Sequence, residues 1–187
     1  MTGPLNSSVF IPERPTLLSI ERKAVWVGML LLAIGLHVFE GALPGLGPWF
    51  KPGLANIMTL LALEILGPGA AFSLAIGRVV IGSFLIGTLL TPTFIISISG
   101  SFFAALVMLV FWRVVPGIGF AGISLMGAIA HMVVQFIVVE SLFIHQAALY
   151  YLLPPLLVLS CITGWLNGSL AAYMLWRMKH QPASDPV

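Results

Sequence analysis

Arg78 sits near the middle of an apolar run covering residues 70–90. A charged side chain at mid-bilayer depth costs about 2.5–3.5 kcal/mol on insertion scales, so such a residue marks a functional site by default. Its planar guanidinium fork suits a phosphate or a carboxylate of a bound molecule. A structural partner is equally at hand in Glu64, on the preceding short run beside Gly67–Pro68–Gly69, and intramembrane charges commonly pair with one another. A second polar set lies farther along. Ser124, Gly127, Ala128, His131 and Gln135 recur at i, i+3, i+4, i+7 and i+11, on one face of a helix otherwise rich in Val, Ile and Met. The small residues let another helix approach closely, while His131 and Gln135 offer hydrogen bonds one turn apart. That chemistry serves either interhelical adhesion or a pocket, and the spacing fits both.

A third group lies in the stretch FEGALPGLGPWFKPGLAN, residues 39–56, which separates two apolar runs. It holds an acid at Glu40, a base at Lys51, and Pro44, Pro48 and Pro52 spaced four apart. Proline lacks an N–H and glycine a Cβ, so this stretch forbids a regular helix and leaves backbone polar groups exposed. At membrane depth such backbone is tolerated where protein covers it or where it lines a cavity. The stretch is therefore expected to cap a ligand pocket. Asn56 and Thr59 open the next helix directly beneath it, and Asn56 either caps that helix or bonds the ligand. His37 and Glu40 close the first span, with His37 expected to be solvated at the interface. Glu140, opposite His131 on its helix, is expected among the headgroups.

These groups sit in an apolar chain. Of 187 residues, 59% are hydrophobic and 7% charged, and the mean hydropathy is +1.09. Soluble domains carry about 25% charged residues, so this composition defines a polytopic helical membrane protein, all-α, with one domain. The net charge of +2 is scattered, which excludes a nucleic-acid partner. Cys161 is alone, so neither a disulfide framework nor a thiolate metal cluster is expected, and a small buried hydrophobe is its plainer role. Residues 1–23 carry no apolar core of a cleavable signal, so the first span itself is expected to direct insertion. The chain has no phosphate-binding glycine loop and no dinucleotide fingerprint, so neither ATP hydrolysis nor a resident cofactor or metal is expected of it alone.

Apolar runs fall at about 24–39, 54–66, 70–90, 94–112, 124–143 and 149–176. The second is short for a bilayer, at about 20 Å of helix. Charge argues that it crosses nonetheless. Arg14, Arg22 and Lys23 precede the first run, Arg113 follows the fourth, and Arg177 and Lys179 follow the last. All belong on the cytoplasmic side by the positive-inside rule, and six crossings satisfy this with both termini inside. The organisation expected is a cytoplasmic tail at 1–23, a six-helix transmembrane domain at 24–176 and a cytoplasmic tail at 177–187, in the cell (inner) membrane. The 40–53 loop then faces outward. Trp26, Trp112 and Trp176 mark the inner interface, and Trp49, Phe50, Phe143, Tyr150 and Tyr151 the outer one. Pro154–Pro155 are expected to delay or kink the last helix, leaving about 156–176 as its regular part. Ala24 with Gly28, and Gly164, Gly168 and Ala172, are spaced for close helix contacts.

Glu40-Gly-Ala-Leu-Pro44, Lys51-Pro-Gly-Leu-Ala-Asn56, Arg78 and the serines of Ser97–Gly100 together resemble the Gx transporter family. Ser124-Leu-Met-Gly-Ala128 with His131 and Gln135 is similar to that family's S-x-x-G-A-x-x-H-N-x-x-Q pattern, with Met132 standing at its Asn. The likeness runs over about residues 30–172. Members are often labelled heptaprenyl diphosphate synthase component I and are similar to the six-helix S components of energy-coupling-factor transporters. The resemblance implies an S-component-like bundle that captures a small external molecule under its first loop. A flavin or other vitamin, or an isoprenoid or quinone precursor, fits the class. Glu40, Lys51, Asn56, Arg78, His131 and Gln135 are the expected ligand contacts. It further implies a coupling transmembrane subunit with ATPases, docked in S components through an Ala-x-x-x-Ala of the first helix, where Ala24 and Gly28 stand here. The alternative is an accessory membrane subunit of a prenyl-diphosphate synthase or of a flavin-dependent redox complex. Catalysis by this chain is not expected, because a diphosphate held through magnesium needs several carboxylates and Asp185 is the single aspartate.

Overall fold

A computed structural model describes residues 15–42 and 53–180. Described residues form six α-helices: α1 Pro15–Ala42, α2 Ala55–Ile65, α3 Pro68–Leu85, α4 Pro92–Val114, α5 Phe120–Leu142 and α6 Leu153–His180. A short 3-10 helix, Ala147–Leu152, leads into α6. Five of these helices are long and apolar enough to cross a bilayer. The protein is an all-α, multi-pass membrane bundle.

The sequence explains the helix boundaries. Pro68 and Pro92 occupy the first turns of α3 and α4, where a missing N–H costs nothing. Gly67, with φ at +93°, turns the chain between α2 and α3, in a region of backbone space that side chains resist. The same logic corrects one expectation. Pro154 and Pro155 do not delay α6 but lie in its first turn, and the helix starts at Leu153. The outer helices also outrun their apolar cores: α1 begins before Arg22 and Lys23, and α6 continues past Arg177 and Lys179.

Side-chain contacts fix the directions. Trp26 donates to the Ala70 carbonyl, and the space beside Gly77 and Gly82 is filled by Leu30 and His37, so α1 and α3 run parallel. Between them α2 runs the other way, since Leu54 meets Glu40 and Leu66 meets Arg22. Gly100 faces His131 and Gln135 while Met108 faces Gly127, so α4 and α5 are antiparallel. Gly164 and Gly168 seat against Ala128 and Phe120, so α5 and α6 are antiparallel too. The small-residue faces expected on α5 and α6 are thus one interface. By contrast Ala24 and Gly28 are exposed, with open space beside Gly28.

Helix α2 is the centre of the bundle. It touches α1, α3, α5 and α6, and Ala55 to Leu63 are all buried. At 11 residues it measures about 16 Å. A helix that is apolar around most of its circumference is stable where every face is covered. Its C-terminal end carries Glu64, bonded to Lys179 of α6 at 3.2 Å. With the chain reversing at each turn, Arg22, Arg113 and Lys179 collect at one end, and Glu40, His145 and the 3-10 helix at the other.

Candidate functional site

The polar groups converge beneath the Glu40 end. Here α1 supplies His37 and Glu40, α2 Asn56, α3 Arg78, α4 Ser97 and Ser101, α5 Ser124, His131 and Gln135, and α6 Ser160, Thr163 and Asn167. Together with Gly53, Ala128, Met132 and Gly164 they line a chamber of about 670 Å³, counting all space between the atoms and the mouth. Twelve of the sixteen lining residues carry polar or ionisable side chains. Desolvating one such group without a partner costs several kcal/mol in hydrocarbon. A dozen gathered around one space can hold a polar molecule or water as well as tie the helices together.

Arg78 is buried, and one of its terminal nitrogens donates to Asn56 Oδ1 at 3.3 Å. Its Nε is buried without a hydrogen-bond partner among the described residues. Glu64 is not its counterion, being held by Lys179. The charge that acts on Arg78 is that of Glu40. The Glu40 carboxylate in turn accepts the backbone N–H of Leu54, at the start of α2. Helix N-termini favour negative charge, so the carboxylate has compensation of its own. Asn56 also directs its amide nitrogen at Met108 Sδ, 3.7 Å away, and makes no side-chain cap for α2, which Leu54 opens without one.

Glycines set the fit of the other side chains. A Cβ on Gly82 would lie 2.7 Å from His37 Cδ2, and one on Gly100 would lie 2.8 Å from Gln135 Cγ and 2.9 Å from His131 Cε1. His37 therefore fills space left by a missing side chain. The expectation of a solvated His37 is corrected: it is buried, because α1 continues past it to Ala42 and α3 packs alongside. The Ser160 hydroxyl donates to the Ala128 carbonyl at 2.8 Å, tying α6 to α5 at the chamber wall. Ser124 Oγ is buried without a hydrogen-bond partner among the described residues.

Glu40, Asn56, Arg78, His131 and Gln135, all expected from the sequence, meet here. Lys51 and most of the capping stretch, residues 43–52, lie outside the described residues. The α5 face turns out to do both of its possible jobs. Gly127 and Gly164 are packing positions at which helices touch, while His131 and Gln135 face the chamber. Ser101, Ser160, Thr163 and Asn167 were not anticipated. The signal for the last three was a polar repeat at i, i+3 and i+7 in the final apolar run.

The fold and chamber define a multi-pass helical membrane protein with a polar cavity within the bundle. The family model described as heptaprenyl diphosphate synthase component I matches residues 29–174, and the chain belongs to that family. Comparison with curated proteins and with solved structures gave no match. The magnesium that prenyl-diphosphate synthesis calls on needs several oxygen ligands, carboxylates above all. Among the described residues no three His, Cys, Asp or Glu side chains are placed to hold a metal ion. The chamber offers one carboxylate, Glu40, already engaged by Leu54. The residues present do not fit that ion.

Proposed function

We propose that the protein is a membrane-embedded substrate-binding subunit that captures a small molecule in the chamber, from the side on which Glu40 and Gly53 lie. The observation that carries this reading is the convergence of Arg78, Asn56, His131 and Gln135 on one cavity from four helices. Arg78 presents its charge to a neutral amide and keeps an N–H without a hydrogen-bond partner among the described residues. A ligand with an anionic end, phosphate or carboxylate, fits that donor. Binding a flavin- or vitamin-like compound, or an isoprenoid or quinone precursor, belongs to this reading, as does an energy-coupling transmembrane subunit with ATPases. The chain is read as non-catalytic, since its one chamber carboxylate and its single aspartate, Asp185, supply no magnesium-holding set.

The family description favours a second reading, an accessory membrane component of a prenyl-diphosphate synthase. A flavin-dependent redox complex is the other host of that kind. One experiment separates the two readings: mass spectrometry and absorbance of whatever accompanies the detergent-purified protein. A small molecule at near one per chain, lost in Arg78→Ala but with the protein still monodisperse, supports capture. An empty chain that brings down a catalytic partner overturns capture and supports the accessory role.

A further inference from the structure

A second cavity adjoins the chamber and differs from it in kind. Phe136 and Val139 of α5, Leu149 of the 3-10 helix and Leu156 of α6 line it, with about 290 Å³ between their atoms when the open space at its mouth is counted, and present only apolar surface to it. Met132 and Gln135 line both spaces and form the threshold between them. The annex is not a dent in the lipid-facing surface. Phe136 and Val139 of α5 and Leu149 of the 3-10 helix are buried and Leu156 of α6 is half-buried, while Ile137 and Leu142 of α5 and Val158 of α6 are exposed. Tyr150 of the 3-10 helix packs edge-on against Phe136, with ring centres 5.4 Å apart. Water in a cavity needs two to four polar partners, which this lining does not supply. Left empty, the lining loses dispersion contacts. An apolar group of a molecule already anchored next door gains both terms.

Resting on the reading of the chamber as a capture site, we propose that its ligand is an amphiphile. Its anionic head sits at Arg78 and its apolar arm passes Met132 into the annex between α5, the 3-10 helix and α6. Met132 suits the threshold, since an unbranched thioether changes rotamer to admit an arm without leaving a polar group unpaired. Gln135 keeps its amide on the chamber side of the same boundary.

The test uses the full chain in nanodiscs, with empty nanodiscs as reference, and four probes: inorganic phosphate and n-butyl, n-hexyl and n-octyl phosphate. In the wild type, affinity rises with chain length by about fourfold per methylene until the annex is full. Leu156→Trp fills the annex and removes that rise while leaving the affinity for inorganic phosphate unchanged. Leu156→Ala enlarges it and moves the optimum to a longer chain. Should the Trp variant not fold, the Ala variant decides on its own. A chain-length dependence identical in the wild type and the folded variants overturns the proposal, since the arm then lies elsewhere, the bilayer included. Failure of all four probes to bind the folded wild type overturns the anionic-head reading of the chamber, and this inference with it.

Discussion

The Arg78 guanidinium donates to Asn56 Oδ1 across 3.3 Å within the bundle. Each residue is buried, and each lines the chamber. A neutral amide orients a guanidinium without cancelling its charge, so the pair presents a positioned cation rather than a closed ion pair. A buried ion carries a desolvation penalty of several kcal/mol; an apolar residue at Arg78 sheds it and leaves Asn56 Oδ1 without its donor, which costs about 1–3 kcal/mol. Arg78→Met is therefore expected to keep or raise the melting temperature while ligand content falls at least about tenfold, the loss of one charge-assisted contact. Thermal unfolding followed by size-exclusion fluorescence, paired with mass spectrometry of bound ligand, checks both halves. A drop in both would make Arg78 a structural residue.

Asn56→Ala separates orientation from charge. It removes the acceptor at Arg78 and leaves the cation buried with fewer partners, which costs about 1–3 kcal/mol. Both stability and binding are expected to fall, in contrast to Arg78→Met. In Arg78→Met, Asn56→Ala should then add little to the loss of binding, because the two side chains act as a unit. Additive losses in a double-mutant cycle would show that they act separately.

Gly100 is the position where one carbon tests the far wall of the chamber. A Cβ there meets Gln135 Cγ at 2.8 Å and His131 Cε1 at 2.9 Å, so both side chains must shift. Overpacking of this kind costs about 1–3 kcal/mol, and Gly100→Ala is expected to lower ligand affinity more than it lowers stability. Gly28→Ala is the control. Nothing lies within 4 Å of its Cβ position, and alanine favours helix by about 1 kcal/mol. Unchanged affinity in Gly100→Ala would place His131 and Gln135 outside the ligand's contacts.

Much of this arrangement could be read from residue types. Apolar runs located the helices, because the bilayer admits little else, and the intramembrane cost of charge singled out Arg78. Partner choice was not legible. Glu64 lies closer to Arg78 in sequence than Asn56 does, yet it bonds Lys179, more than a hundred residues away. The C-terminal end of α2 faces the end of α6, a tertiary relation that no local spacing encodes. His37 was misplaced for a related reason: a histidine three residues before Glu40 reads as interfacial until Gly82 is known to stand beside it. The annex was invisible because Val139, Leu149 and Leu156 look like any other apolar positions until the bend at the 3-10 helix brings them together.

Helix direction yields the last prediction. Glu64 and Lys179 pair at 3.2 Å with side chains 32% and 66% exposed, at the end of the bundle that also receives Arg22 and Arg113. An ion pair so open to solvent is worth about 0–1 kcal/mol, so Lys179→Cys is expected to leave the fold intact. Arg113→Cys and Lys179→Cys, each in a Cys161→Ser background, should then react with a membrane-impermeant maleimide from the same side of the membrane. Glu140→Cys, near the Glu40 end of α5, should react from the opposite side. With basic residues favouring the cytoplasmic face, intact cells should label Glu140→Cys, and inverted vesicles the other two. Labelling of Arg113→Cys and Lys179→Cys from opposite sides would mean that the chain does not reverse at each turn. The same experiment assigns the chamber mouth to a side, because Glu40 and the mouth share the end that Glu140 marks.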